Sequence, residues 1–219
     1  MTVFSKLNQD PLSTIGEFLS FEDFLQFCHT SKGFNSETKL IKFLKLNTEY
    51  SLKFYKDEKF RNRVRSSIAD PSKQLSLDLS NCDNVRDVSA LGGVHTLNLS
   101  GCDNVSDVSA LGGIHTLDLG FCRGVRDVSA LGRVHTLDLS NCDNVSDVSA
   151  LGGVHTLVLS ACNNVRDVSA LGGVHTLDLS NCDNVRDVSA LGGVHTLDLS
   201  FCRNVTDVSA LGNVVNLIR

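Results

Sequence analysis

A chain of 219 residues that is 42% hydrophobic and 21% charged has room for one elongated domain, or a small domain joined to a larger one, and its balance is that of a folded protein rather than a disordered one. No apolar run approaches the roughly 18 residues of a membrane-spanning helix, and residues 1–10 lack the long apolar core of a secretory signal, so a soluble protein of the cytoplasm is expected. The net charge of −5 divides unevenly: residues 1–73 hold nine lysines and three arginines against nine acids, while residues 74–219 hold eight arginines against sixteen acids, an acidic stretch that disfavours nucleic acid as a partner.

Pro11 suits a first helical turn, and Leu12, Ile15, Phe18 and Leu19 follow it at the three-and-four spacing of an amphipathic helix. A second helix over 21–30 carries Phe24, Leu25, Phe27 and Cys28 on its apolar side, and Gly33 permits the turn that ends it. Further helices are predicted over 36–46 and about 49–68, with Leu40, Ile41, Phe43, Leu44, Leu52, Phe54, Tyr55, Phe60 and Val64 as candidate core. Nine of the eleven phenylalanines and both tyrosines precede residue 74. A small helical domain needs such aromatic loading to build a core from few residues and to seal whatever follows it.

The elements Leu12-Ser-Thr-Ile15, Phe18-Leu-Ser-Phe21, Asp23-Phe-Leu25, Cys28-His-Thr-Ser-Lys32 and Phe34 together resemble the F-box, over about residues 10–48. Ser13 stands where that family usually has proline, and Gly16-Glu17 replaces its usual Glu-aliphatic pair. The resemblance implies docking onto a Skp1-like adaptor, with Leu12, Ile15, Leu19, Phe24 and Leu25 as the adaptor-binding candidates. It also implies a following repeat domain that presents an unknown substrate to a cullin-based ubiquitin ligase. The alternative is that these helices only cap the repeats, since any solenoid must have its first hydrophobic cross-section covered.

Residues 66–74 form the junction, where Pro71 holds Asp70 out of the helical region. This places the boundary between a helical domain, 1–73, and a repeat domain, 74–219. A 20-residue unit then runs seven times, from Gln74 to Asn213, and begins an eighth before Arg219. In the second unit Val94, Leu97, Leu99 and Cys102 fit the pattern L-x-x-L-x-L-x-x-C of leucine-rich repeats. Leu97 and Leu99 alternate with Thr96, Asn98 and Ser100, which predicts a strand with one face inward. Val105, Val108 and Leu111 complete seven inward groups per coil.

On the return limb Asp107 can cap one short helical turn, and Gly112 and Gly113 are expected to allow the reversal into the next strand. The limb D-V-S-A-L resembles the internalin type of short repeat, D-I-x-P-L, with alanine in place of proline. The expected fold is an α/β solenoid of short 20-residue leucine-rich repeats. It has a parallel sheet of seven or eight strands, about 4.8 Å apart, on one face, preceded by a small all-helical N-terminal cap resembling an F-box. An F-box-like start joined to near-identical cysteine-bearing repeats is similar to proteins encoded by giant DNA viruses of amoebae, Marseillevirus-like, which would place the chain in host cytoplasm.

Stacking turns each repeat position into a column. Cys82, Cys102, Cys122, Cys142, Cys162, Cys182 and Cys202 form one, read as buried reduced thiols rather than disulfides, and Cys28 lies outside the array. His95, His115, His135, His155, His175 and His195 form another, beside Asp118, Asp138, Asp178 and Asp198. Zinc wants convergent ligands and a ladder points its rings in parallel, so these read as a solvent-facing protein-binding surface with no metal and no cofactor. Phe121 with Arg123, and Phe201 with Arg203, interrupt the uniform Asn-Cys-Asp-Asn rim four units apart, pairing apolar area with a donor fork as interfaces do. The last strand, 214–219, is expected to expose apolar side chains and an open edge, favouring fraying or self-association.

The sequence offers no phosphate loop, no H-E-x-x-H and no Gly-x-Ser-x-Gly elbow, so an enzyme is the least supported class. A protein-interaction module is favoured, as the substrate-recognition subunit of a Skp1-cullin-F-box ubiquitin ligase or, alternatively, as a structural scaffold.

Overall fold

The alternation that buries Leu97 and Leu99 recurs every 20 residues, and it stacks the chain into a single sheet. The computed structural model describes residues 44–68 and 70–219. Nine strands pair in parallel and in sequence order: β1 (Leu44–Leu46), β2 (Leu75–Asp78), β3 (Thr96–Asn98), β4 (Thr116–Asp118), β5 (Thr136–Asp138), β6 (Thr156–Val158), β7 (Thr176–Asp178), β8 (Thr196–Asp198) and β9 (Asn216–Ile218). Each residue faces its equivalent one unit away, as Leu117 faces Leu97 and Leu137. The ladder runs past the short strands, because Leu99 N–H donates to Asp118 O at 2.8 Å and His135 N–H to His115 O at 3.1 Å.

Inside the coil, Val134, Leu137, Leu139, Cys142, Val145, Val148 and Leu151 are all buried, and the same seven positions are buried in the units on either side. Burying one such aliphatic side chain contributes roughly 1.5–3 kcal/mol. Yet one coil is only a slice, and both its faces must be covered by neighbours.

The return limb is one 3-10 turn, as at Ser109–Leu111. Asp107 Oδ1 accepts from Ser109 N–H at 2.9 Å, so the aspartate caps the turn as expected. The glycines act differently from the expectation. Gly112 has φ −62°, an ordinary helical value. Its role is proximity: a Cβ there would lie 2.2 Å from Ala130 O of the next coil. Gly113 has open space around it, which explains how Arg133 fits at the equivalent place. Among the reversals only Gly93 is left-handed, with φ +79°; elsewhere among the described residues left-handed backbone falls at the rim, in Asn81, Gly101, Phe121, Asn141, Ala161, Asn181 and Phe201.

The segment before the array also departs from expectation. Where a helix was predicted over 36–46, Leu44–Leu46 is a strand that pairs with β2, so the sheet begins before the first repeat. Leu46 is buried and Lys45 exposed, a two-residue alternation too short to dominate a sequence window. The single helix predicted over about 49–68 is two, α1 (Thr48–Lys56) and α2 (Glu58–Ser67). Asp57 separates them: its backbone is extended, and its side chain accepts from Phe60 N–H at 3.0 Å, capping α2. The junction is a short helical turn, α3 (Pro71–Gln74), with proline in its first turn and Asp70 as its cap.

Helices α1 and α2 seal the first coil. Phe54, Phe60, Val64 and Ile68 join the core that continues through the repeats. Buried Ser51 stitches the layers, donating to Leu46 O at 3.2 Å and accepting from Asp78 N–H at 3.0 Å. From α2, Arg65 reaches across to donate to Ala90 O and Gly92 O, both at 2.9 Å, clamping the first 3-10 turn.

Candidate functional site

Each thiol sits beneath the carbonyl of the preceding coil. Cys142 Sγ donates to Leu119 O at 3.1 Å and Cys162 Sγ to Leu139 O at 3.0 Å, and the pattern holds from Cys102 to Cys202. Burial pushes the Cys102 thiol up to about 11, and the Cys122, Cys162 and Cys182 thiols up to about 12. These are unreactive structural groups, and the cysteines from Cys82 to Cys202 are free.

The histidine and aspartate columns lie on either side of the half-buried threonines. At the entry to each strand His115, His135, His155, His175 and His195 are exposed, and His95 is half-buried. Neighbouring rings lie 4.5–4.6 Å apart between centroids. At the exit Asp118, Asp138, Asp178 and Asp198 are half-buried, and each turns back to accept from the N–H two residues on, in Gly120, Ser140, Ser180 and Ser200. Desolvation, reinforced by its like-charged neighbours, raises the Asp118 carboxyl above the usual range. The histidine and aspartate columns thus run side by side but are not joined: no His–Asp ion pair occurs among the described residues.

The rim residues stand outside the ladder. Phe121 is 50% exposed and Phe201 70% exposed, both with left-handed φ near +60°. Arg123 lies 3.9 Å from Asp103 across one coil, and its backbone N–H donates to the same carboxylate at 3.2 Å. Arg203 is exposed. At the far end Val215, Leu217 and Ile218 are exposed on β9. The adaptor-binding candidates Leu12, Ile15, Leu19, Phe24 and Leu25 lie outside the described residues.

Two features of the surface escaped the sequence reading. One is the left-handed rim, whose signal was present in the Asn and Gly that fill four of its seven positions. The other is a side-chain clamp: Asn104, Asn164 and Asn204 donate from Nδ2 to the carbonyls of Asp83, Asp143 and Asp183 in the preceding coil.

No group of three or more metal-ligating side chains gathers among the described residues, and no described helix is long and apolar enough to cross a membrane. No protein-family model and no curated protein matches the sequence. Among solved structures, the chain is similar to an internalin (InlF) from Listeria monocytogenes, with 27% identity and a TM-score of 0.51 over 61% of this chain and 43% of that one. It is also similar to internalin C2 of the same organism, with 24% identity and a TM-score of 0.51 over 68% of this chain and 70% of that one. The chain therefore spans less than half the length of the first. Its fold is an internalin-like leucine-rich-repeat solenoid.

Proposed function

We propose that the chain is a protein-binding scaffold, with residues 1–73 as a capping and docking part and residues 74–219 as the presented array. The observation that carries this is the rim, where two phenylalanines are held exposed in a backbone conformation that disfavours them. Strain kept at exposed apolar positions is a mark of binding surfaces rather than of packing. The histidine, aspartate and threonine columns supply the flat polar field between Phe121 and Phe201. Replacing Phe121 and Phe201 by asparagine, and Arg123 and Arg203 by aspartate, is expected to abolish partner binding in a protein whose circular dichroism is unchanged. Full binding by that variant would reject the rim as the contact.

The more specific form of the proposal is that residues 10–48 act as an F-box on a Skp1-like adaptor. Two facts support it: the motif residues Leu12, Ile15, Leu19, Phe24 and Leu25, and a seal of the first coil that already draws on Leu46, Phe54, Phe60, Val64 and Ile68. The neighbours found are bacterial internalins, so the resemblance to viral F-box proteins rests on sequence style alone. Co-elution of the intact chain with a recombinant Skp1-type adaptor, lost on Phe24→Asp with Leu25→Asp, is the expected result. A folded protein that ignores the adaptor leaves the plain scaffold.

A further inference from the structure

The histidine column is packed more tightly than a solvated row of rings needs to be. From His115 to His195 successive rings lie 4.5–4.6 Å apart between centroids, with interplanar angles of 10–30°. Nδ1 of His115, His135, His175 and His195 lies 3.2–3.3 Å from the hydroxyl of the following threonine, which fixes each ring and keeps the stack parallel. A neutral ring can accept or donate at that contact, and a protonated ring can donate. The contact therefore survives protonation and holds the charges at stacking distance. Two unit charges that close repel by more than thermal energy even in water.

We propose that the histidine ladder is an acid switch built into the array: neutral rings stack, and protonation between about pH 7 and pH 5 breaks the stack and weakens the hold of one coil on the next.

The surroundings give the protons no relief. Within each strand the carboxylates three residues on, in Asp118, Asp138, Asp178 and Asp198, are turned to accept from the N–H two residues further along, and Val158 takes that place in the coil of His155. Arg133, exposed at the reversal before His135, adds positive charge. From neighbouring coils come further rings: the charges acting on His115 are those of His95 and His135, and on His175 those of His195 and His155. The column ends against uncharged residues, where His95 N–H donates to Leu75 O and Val215 N–H to His195 O. Desolvation, then the flanking rings, lowers the pKa of His115 and of His175. As pH falls past the ordinary imidazole value of about 6.5, the unfolded chain takes up protons that the folded one resists. Stability from the stack is complete above about pH 7 and is lost as pH falls toward about 5. The carboxylates that cap the 3-10 turns, such as Asp107, are held below the usual range by their serine and titrate beneath that window.

The test uses two variants of the full chain with the same number of histidines, both of which keep His175. His115→Gln, His155→Gln and His195→Gln together place it between two glutamines. His95→Gln, His115→Gln and His135→Gln together leave it between His155 and His195. His29 and every carboxylate are common to both. Followed by nuclear magnetic resonance at the ring protons, His175 should reach half-protonation about half a pH unit lower in the contiguous variant, an about three-fold weaker hold on the proton, and over a broader range of pH. The urea midpoint should also fall further between pH 7.5 and pH 5.0 in the contiguous variant than in the alternating one. The same half-protonation pH in both overturns the proposal, and so does an equal fall of the two midpoints. Should a triple variant fail to fold, His155→Gln alone against His135→Gln alone makes the same comparison, with His175 stripped of one flanking ring in the first and keeping both in the second.

Discussion

Phe201 sits at φ +61° with most of its ring in solvent. For an L-residue other than Gly, Asn or Asp that region costs about 1–2 kcal/mol, and an exposed ring recovers little of it. Phe201→Asn should therefore raise the stability of the free protein by about 1 kcal/mol, read as a higher urea midpoint with an unchanged slope. A lower midpoint would show that the ring packs more than its exposure indicates. The thiols make the second prediction at this scale. Burial raises the folded pKa of Cys122, Cys162 and Cys182 from 9.0 to about 12, so the neutral form is favoured in the native state. Above pH 9 the unfolded chain sheds those protons and the folded one does not. Stability from these groups is complete below pH 9 and is lost as pH rises toward 12. Under reductant, the urea midpoint should fall steadily from pH 8.5 to 10.5, and a flat profile would contradict the buried ladder. The thiol column was legible in the sequence because period 20 placed every cysteine beside inward leucines. The left-handed rim was not, since Phe121, Ala161 and Phe201 hid an Asn/Gly preference that the other four units display.

At the scale of single elements, the return limb depends on how closely one 3-10 turn rides on the next. A Cβ at Gly152 would meet Ala170 O at 2.3 Å, whereas one at Gly113 would meet nothing within 4 Å. Gly152→Ala should thus cost about 1–3 kcal/mol, the usual penalty for overpacking. Gly113→Ala should be neutral or stabilise by a few tenths, through the less flexible unfolded chain. Thermal unfolding of the two variants checks the pair, and equal shifts would contradict the assigned contact. The existence of both turns was readable from Asp107 and its equivalents, but which glycine was crowded was not, because sequence spacing does not report the distance between coils. The same limit explains the segment before the array. Leu44–Leu46 becomes a strand only because β2 offers it an edge, and Asp57 breaks a helix that the apolar spacing of Phe54, Phe60 and Val64 ran straight through.

The whole molecule is held together by the equivalence of its coils. Each seven-residue apolar slice is covered by its neighbours, the first by α1 and α2, so that burial, the thiol bonds and the surface columns all follow from one register. Fold class was legible to this depth because the repeat length, the inward positions and the strand phase are local properties copied seven times. What the surface does with its columns was less legible, since near-identical units say where residues recur and not which neighbour each side chain meets. The register itself can be measured by pulsed electron resonance between spin labels on the rim, in a chain with Cys28 and Cys82 replaced by serine. Label pairs joining Phe201→Cys to Phe121→Cys, Gly101→Cys and Asn81→Cys span four, five and six coils. Stacking predicts backbone separations of about 19, 24 and 29 Å, at about 4.8 Å per strand. Distances that fail to grow in equal steps would contradict the stacked array and every column built on it.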